Sequence, residues 1–283
     1  METLTMGLTR AQQASYAEDG YLFLPCLFSP DETEVIRNEL PLVFGEDGQR
    51  RVVEKDGRTV RSVYGSHRTN EVFRRLSKHP RLVEPSKELL GSEVYVYQFK
   101  INAKQALGGD LWEWHQDYVF WNKEDGMPTS RVTNALIFVD EVTEFNGPLF
   151  LIPGSHKEGM ISTAASSGPD GALQSETYSD SPKWISNLTA NLKYSLDRKT
   201  VQRLVERYGI VAPKGPKGSV LFFDSNTVHG SPNNISPFDR AVVIVTYNST
   251  ENIPVKPSNP RPDFLVSDDH AAVTSLNDDV LFM

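Results

Sequence analysis

Two histidines and one aspartate in this chain could bind a metal ion together. His115 and Asp117 are separated by one residue, and His229 follows far downstream, directly before a Gly-Ser pair. Two imidazoles and one carboxylate are the ligands of the facial triad that binds Fe(II) in non-haem oxygenases and leaves coordination positions open. The three residues therefore predict a non-haem iron site.

The spacing alone does not select the first two residues, because His156 and Glu158 are also separated by one residue. Their surroundings differ, however. Alternation through Glu113, His115 and Asp117 would place all three side chains on one face of a strand. His156 instead follows a Pro-Gly-Ser turn and precedes a lysine, as at a solvated corner. This context favours His115 and Asp117 as the ligands.

Arg240 suggests a site for an organic acid. It opens the apolar run 241–245, and an arginine that points inward there requires an anion. In a hairpin, Ser231 and Arg240 would lie close together. Taken singly, His229 could cap a turn and Arg240 could lie on a solvated edge, but their order favours a joint role. Because guanidinium binds carboxylates bidentately, we predict 2-oxoglutarate, a dicarboxylate, as co-substrate.

The bulk composition excludes several other classes of protein. The 283 residues, 39% of them hydrophobic, permit one large domain or two small ones. A net charge of −8 without a basic block argues against nucleic-acid binding. Cys26 is the sole cysteine, which excludes an internal disulfide and gives no support for a thiolate zinc site. Without a long apolar stretch or a signal sequence, we expect a soluble, cytoplasmic protein with no membrane partner.

The first 92 residues are expected to be mainly helical. Ser29 begins a capping box with Glu32, and a proline occupies the first helical position. The apolar period that follows predicts a helix that ends at Gly45. A second helix is predicted from Pro80 to Gly91. Residues 51–64 are polar and mixed, which fits either short strands or a loop.

From Val94 onward the apolar period changes to two, which indicates strands. In 94–102 the pattern places one set of side chains on an apolar face and another on a polar face. The apolar face would hold Tyr95, Tyr97, Phe99 and Ile101, and the polar face Gln98, Lys100 and Asn102. Further strands are predicted at 131–139, 149–153, 219–223 and 241–247. Helices followed by many strands predict an α+β, mainly β fold. Its core would be a double-stranded β-helix (a cupin-like jelly roll) with the N-terminal helices packed on it.

We expect residues 1–283 to form a single domain with a jelly-roll core at 93–250. Within that core, residues 161–200 form a long polar insertion that also contains apolar residues such as Trp184 and Leu192. A long insertion of this kind in a compact domain favours a lid over a linker. Residues 251–283 are rich in proline and predict an extended tail.

Several short segments between residues 60 and 265 share a further pattern. They are Arg61-Ser62-Val63-Tyr64, Val94-Tyr95-Val96-Tyr97-Gln98 with Lys100-Ile101-Asn102, Trp114-His115-Gln116-Asp117, Trp121 with Glu124-Asp125-Gly126-Met127-Pro128, Asn146-Gly147-Pro148-Leu149, Ile152-Pro153-Gly154-Ser155-His156, His229-Gly230-Ser231, Arg240 and Arg261-Pro262. This set resembles the phytanoyl-CoA dioxygenase superfamily of Fe(II)/2-oxoglutarate oxygenases, and within it the ectoine hydroxylases.

The resemblance implies a role for each matching residue. Iron would be bound by His115, Asp117 and His229, and O2 would be the second co-substrate. The residues implied near 2-oxoglutarate are Lys100, Asn102, Ser231 and Arg240, the last two on its distal carboxylate. The residues implied at the substrate are Gln98, Trp121 and Tyr64. The expected activity is hydroxylation of an unactivated C–H bond.

The chain also departs from the ectoine hydroxylase pattern. Val119 and Phe120 occupy positions where those enzymes have polar residues, and Tyr64 stands where phenylalanine is usual. Such changes near a pocket can reassign specificity. We therefore expect the small-molecule substrate to be a small amino acid or amino-acid derivative other than ectoine.

Alternatives to this interpretation remain. The same iron chemistry could hydroxylate, desaturate or cyclise a larger secondary metabolite. A non-catalytic jelly-roll binding protein would be expected to lack a ligand or Arg240, and a zinc hydrolase would not require Arg240 and Ser231. We expect either a monomer or a homodimer.

Overall fold

The computed structural model describes residues 7–161, 184, 188, 192–255, 257–258 and 260–283. The strands are β1 (Tyr21–Leu24), β2 (Arg51–Val53), β3 (Val60–Tyr64), β4 (Val94–Lys104), β5 (Trp112–His115), β6 (Val132–Phe138), β7 (Phe150–Leu151), β8 (Val220–Asp224), β9 (His229–Ser231) and β10 (Arg240–Ser249). The α-helices are α1 (Arg10–Asp19), α2 (Pro30–Asn38), α3 (Leu40–Gly45), α4 (Glu71–Leu76), α5 (Pro80–Leu90), α6 (Asp117–Asp125) and α7 (Arg198–Tyr208). Short 3-10 helices occur at Ser66–Arg68, Ser155–Glu158 and Val280–Phe282.

The strands form two antiparallel sheets that face each other. The larger sheet has the order β1-β8-β6-β10-β4-β3-β2, and the smaller has the order β5-β9-β7. Leu136 and Val242 of the larger sheet share a buried apolar cluster with Leu151 of the smaller one. The predicted α+β jelly roll is thus confirmed. Within the described residues, no helix is long and apolar enough to cross a membrane.

The helices α1 to α5 cover the outer face of the larger sheet. Phe99 of β4 and Val243 of β10 belong to the same buried cluster as Ile36 of α2 and Leu82 of α5. The predicted capping box at Ser29 is present. The predicted helix to Gly45, however, is divided into α2 and α3, since a proline in the first turn of α3 has no N–H to continue the helical ladder.

The alternation predicted for β4 breaks at Tyr97. The register of β4 against β10 shifts by one residue there, which is a β-bulge. Phe99 and Ile101 therefore face the helices, whereas Tyr95 and Tyr97 pack in a different cluster around Trp121. The prediction that these four side chains share one face is wrong, and the bulge turns the two tyrosines toward the interior between the sheets.

The stretch predicted as an insertion, 161–200, lies mostly outside the described residues, and so does the predicted lid. Its described part has apolar contacts: Leu188 packs with Tyr64, and Leu192 packs with Trp121. The helix α7 begins at the end of this stretch and was missed by the sequence pattern. The described residues of the tail hold no strand or α-helix, yet they carry a fully buried side chain, Leu265.

Candidate functional site

The three candidate metal ligands converge from two neighbouring strands and a helix. His115 ends β5, and its Cα partner across the small sheet is His229, the first residue of β9. Their ring centroids lie 4.2 Å apart. Asp117 is the first residue of α6 and not a strand residue. The prediction that Asp117 lies close to His115 is therefore correct, but strand alternation is not what brings them together.

The distances between these side chains suit one small cation. Asp117 Oδ1 lies 3.8 Å from His115 Nε2, and Asp117 Oδ2 lies 3.9 Å from His229 Nε2. One ligand atom from each residue lies within 4.8 Å of the others, and all three residues are buried. Because metal–ligand bonds to histidine and carboxylate are about 2.0–2.2 Å long, a single ion can reach all three.

Backbone carbonyl groups fix the orientation of both imidazoles. The Nδ1 of His115 lies 2.6 Å from Glu113 O, and the Nδ1 of His229 lies 2.9 Å from Thr227 O. If each Nδ1 donates its hydrogen, each Nε2 keeps a lone pair directed at the cation. Burial, together with the charge of His229, lowers the pKa of His115 to about 3, and burial likewise lowers the pKa of His229. Both rings are therefore neutral at neutral pH, which is the form that binds metals.

A short chain of hydrogen bonds orients Asp117. Asn134 Nδ2 donates to its Oδ2 at 2.9 Å, and Thr246 Oγ1 donates to Asn134 Oδ1 at 2.6 Å. Burial alone would raise the pKa of Asp117, but the charge of Lys100, the two neighbouring imidazoles and the hydrogen bond from Asn134 outweigh it and lower that pKa. The carboxylate is thus ionised before any cation binds.

All ten residues that the sequence predicts for the site line one cavity between the two sheets. They are Tyr64, Gln98, Lys100, Asn102, His115, Asp117, Trp121, His229, Ser231 and Arg240. The remaining wall is largely apolar and includes Phe138, Val142 and Phe223. Polar groups are therefore concentrated at a few points of a largely apolar cavity.

At one end of the cavity lies Arg240, a buried guanidinium group. Its Nε donates to Asn146 O at 3.3 Å, and its Nη2 donates to Gly147 O. Burial lowers the pKa of Arg240 to about 10, so it keeps its charge at neutral pH. No carboxylate in the described ranges forms an ion pair with it, and the remaining N–H groups can bind an anion in the cavity.

The pairing of β10 with β4 sets the distance from this arginine to the metal centre. Arg240 pairs with Lys104, Val242 with Asn102, and Ile244 with Lys100. The Nζ of Lys100 lies 3.9 Å from the Oδ1 of the metal-site aspartate. Four residues of strand span about 13 Å. Arg240 and the metal triad therefore lie at different levels of one cavity, with Asn102 between them.

At the other end, a polar patch lies beyond the metal centre. Gln98 Nε2 donates to Leu265 O at 2.8 Å. Arg261 forms two hydrogen bonds to Asp125, of 2.7 Å and 2.5 Å. Trp121 lines this end of the cavity.

Sequence reasoning missed several residues of the cavity. Arg261 was part of a recognised segment but received no role, although Asp125 in another such segment is its partner. Leu192 lines the cavity, yet nothing in its local pattern marks it. Phe120, which the sequence analysis placed near the pocket, also lines the cavity. Asn134 lies in a fully buried strand. A polar residue within such an apolar run could have indicated a functional role.

Comparisons with known proteins agree with this geometry. Two histidines and a carboxylate with open coordination positions are the ligand set of non-haem Fe(II) oxygenases. The chain belongs to the phytanoyl-CoA dioxygenase family, whose model matches residues 16–242. It is 38% identical to L-proline trans-4-hydroxylase of Streptomyces griseoviridis, over 94% of this chain and 95% of that one. It is 36% identical to the ectoine dioxygenase of Bordetella bronchiseptica, over 92% of this chain and 82% of that one.

Solved structures support the same assignment. EctD from S. alaskensis, crystallised with 2-oxoglutarate and 5-hydroxyectoine, superposes with a TM-score of 0.79. The match has 30% identity and covers 98% of this chain and 90% of that chain. A second EctD crystal structure contains bound iron. The predicted enzyme class, with Fe(II), 2-oxoglutarate and O2, is confirmed, and the binding-protein and zinc-hydrolase alternatives are wrong.

Proposed function

We propose that this dioxygenase hydroxylates an unactivated C–H bond of a small free amino acid, with L-proline as the first candidate. The observation that carries the proposal is one cavity with an anion site at one end, a metal triad in the middle and a short polar patch at the other end. Similarity to an L-proline trans-4-hydroxylase over nearly the full length of both chains supports the choice of candidate.

In this proposal His115, Asp117 and His229 hold Fe(II). The bound metal supplies O2 activation, and the overall reaction converts substrate C–H, 2-oxoglutarate and O2 into C–OH, succinate and CO2. The two histidines contribute neutral Nε2 lone pairs. Asp117 contributes a carboxylate that Asn134 holds in one orientation.

The co-substrate extends from the metal centre toward Arg240. We assign its distal carboxylate to Arg240 and Ser231, which both line that end of the cavity. Lys100 and Asn102 lie along its length, as the strand register indicates. The Oδ1 of Asn102 is buried without a hydrogen-bond partner among the described groups. 2-Oxoglutarate has no hydrogen to donate to this oxygen, but with the amide rotated by 180° the Nδ2 group would take its place and donate to an oxygen of the co-substrate.

The polar patch beyond the metal centre matches a zwitterion. Gln98 has its Nε2 occupied by Leu265 O, so its Oε1 can accept a hydrogen bond from a substrate ammonium group. Arg261 lines the cavity, and although Asp125 occupies its Nε and Nη2 and balances its charge, its Nη1 hydrogens can donate to the substrate carboxylate. Tyr64 and Trp121 close this end and keep the substrate small.

Asn134→Ala is expected to weaken Fe(II) binding by about 10–100-fold, because groups that orient metal ligands typically contribute that much. Anaerobic Fe(II) titration followed by calorimetry measures this effect. Asn252→Ala is the matched control, since Asn252 is also buried and hydrogen-bonded, to Thr129 and Asn248. Equal Fe(II) affinity in wild type and Asn134→Ala would show that this amide does not orient a ligand.

The substrate proposal predicts that L-proline accelerates succinate formation. Anaerobically purified, Fe(II)-loaded protein is given 2-oxoglutarate, O2 and single amino acids, with ectoine included. The expected result is stimulation by a free amino acid and a product heavier by one oxygen atom. Succinate formation that no small amino acid stimulates would refute the substrate class and direct the search to larger metabolites.

Three other expectations from the sequence stay predictions. They are a single domain over residues 1–283, a cytoplasmic location, and a monomeric or homodimeric state. The names of the similar enzymes give proline and ectoine, both small molecules, as their substrates. Size-exclusion chromatography with light scattering measures the oligomeric state.

A further inference from the structure

Lys104, the last residue of β4, is a buried basic group that no sequence motif marks. It is 2% exposed. Its Nζ donates to Asp110 O at 2.7 Å and to Pro232 O at 2.6 Å. Across the strand pair its Cα partner is Arg240. No carboxylate in the described part of the chain forms an ion pair with it, although burying a basic group is costly.

The two carbonyl groups that Lys104 binds belong to the ends of the small sheet. Asp110 lies just before β5, which ends in the metal-site His115. Pro232 directly follows Ser231, the last residue of β9. Lys104 therefore connects the larger sheet to the segment that holds Ser231 at the cavity.

Gly147 places a third segment against the same lysine. Its φ is +76°, and a Cβ added there would lie 2.5 Å from Lys104 Cδ and 2.8 Å from Pro232 O. Only a glycine lets the lysine stem pass this close to the backbone. The carbonyl group of Gly147, with that of Asn146, accepts hydrogen bonds from Arg240.

We propose that Lys104 and Gly147 form a clamp that positions the binding site for the distal carboxylate of 2-oxoglutarate. Lys104 fixes Ser231 through Pro232. Gly147, packed on the lysine stem, fixes the guanidinium of Arg240 so that its free N–H groups face the cavity. The inference rests on the proposed role of Arg240 and Ser231, and it assigns positioning roles to two residues outside that set.

Burial and two neighbouring arginines set the electrostatics of Lys104. Burial, followed by the charges of Arg240 and Arg61, lowers the pKa of Lys104 to about 6. In either protonation state the amine has enough hydrogens for both carbonyl groups. An anion bound at Arg240 would raise this pKa again, since opposite charge favours the charged form.

The clamp is tested with Lys104→Met and Gly147→Ala, in a comparison of two ligands. Isothermal titration of the Mn(II)-loaded protein measures Kd for 2-oxoglutarate and for 2-oxobutyrate, which lacks the distal carboxylate. We expect each variant to bind 2-oxoglutarate about tenfold more weakly, a change typical of misplaced charged hydrogen bonds. Binding of 2-oxobutyrate should change less than about twofold. In turnover, KM for 2-oxoglutarate should rise while kcat at saturation is retained.

Lys55→Met is the matched control, because Lys55 contacts the same Asp110 from the surface, 3.6 Å from its carboxylate. It should leave both ligands unaffected. Unchanged 2-oxoglutarate affinity in Lys104→Met and Gly147→Ala, or equal weakening of both ligands, would overturn the clamp. If Lys104→Met does not fold, Gly147→Ala decides the question. Failure of wild type to bind 2-oxoglutarate would refute the co-substrate assignment instead.

Discussion

Asp117→Ala is expected to abolish Fe(II)-dependent turnover. The substitution removes the carboxylate that lies between the two imidazoles, 3.8 Å and 3.9 Å from their Nε2 atoms. Even groups outside the coordination shell contribute about 10–100-fold to metal affinity, so loss of a ligand should exceed a hundredfold. Anaerobic Fe(II) titration and succinate formation measure the two effects separately.

The matched control is Glu158→Ala, because Glu158 has the same spacing from a histidine as Asp117 has. In the structure Glu158 forms ion pairs with Arg203 and Arg207 of α7. It is not one of the residues that line the cavity. This variant should keep wild-type turnover and Fe(II) affinity. Undiminished turnover in Asp117→Ala, or a comparable loss in Glu158→Ala, would contradict the ligand assignment.

Arg240→Met is expected to raise KM for 2-oxoglutarate by about a hundredfold, because charge-assisted hydrogen bonds contribute about 1.5–3 kcal/mol each. Methionine preserves much of the buried apolar stem, but it removes the anion site together with the hydrogen bonds to Asn146 O and Gly147 O. Fe(II) affinity should be unchanged, because the backbone of Arg240 lies about 13 Å along β10 from Ile244. Ile244 pairs with Lys100, which lies next to Asp117. Steady-state kinetics at varied 2-oxoglutarate concentration measure the effect.

Arg131→Met serves as the control for loss of a positive charge. Arg131 is partly exposed and pairs with Glu251 at 2.6 Å, and such surface pairs contribute at most about 1 kcal/mol. Its KM for 2-oxoglutarate should equal that of wild type. A KM within twofold of wild type in correctly folded Arg240→Met would place the co-substrate carboxylate elsewhere.

The candidate metal ligands could be predicted from sequence because their chemistry is carried by residue type and order. Two histidines and an aspartate followed by an arginine, taken together, fit few kinds of site. The structure brings all four residues to one cavity. The strand period also predicted the polar face of β4 with Gln98, Lys100 and Asn102. The capping box at Ser29 is a local signal, independent of tertiary contacts.

Other features depend on contacts between segments that are distant in the sequence, and they could not be predicted from local patterns. The bulge at Tyr97 arises from the pairing of β4 with β10. Asp117 opens α6 and is oriented by Asn134, which lies in a different strand. Lys104 gains its partners only when the segments before β5 and after β9 meet. No local sequence pattern encodes these long-range contacts.

The most direct test of the metal assignment is a crystal structure of the anaerobic complex with Fe(II) and 2-oxoglutarate, measured at the iron absorption edge. We predict one anomalous peak, about 2.0–2.2 Å from His115 Nε2, His229 Nε2 and a carboxylate oxygen of Asp117. The 2-oxoglutarate should extend from that peak to Arg240. An anomalous peak outside this triad, or a co-substrate carboxylate away from Arg240, would contradict the account.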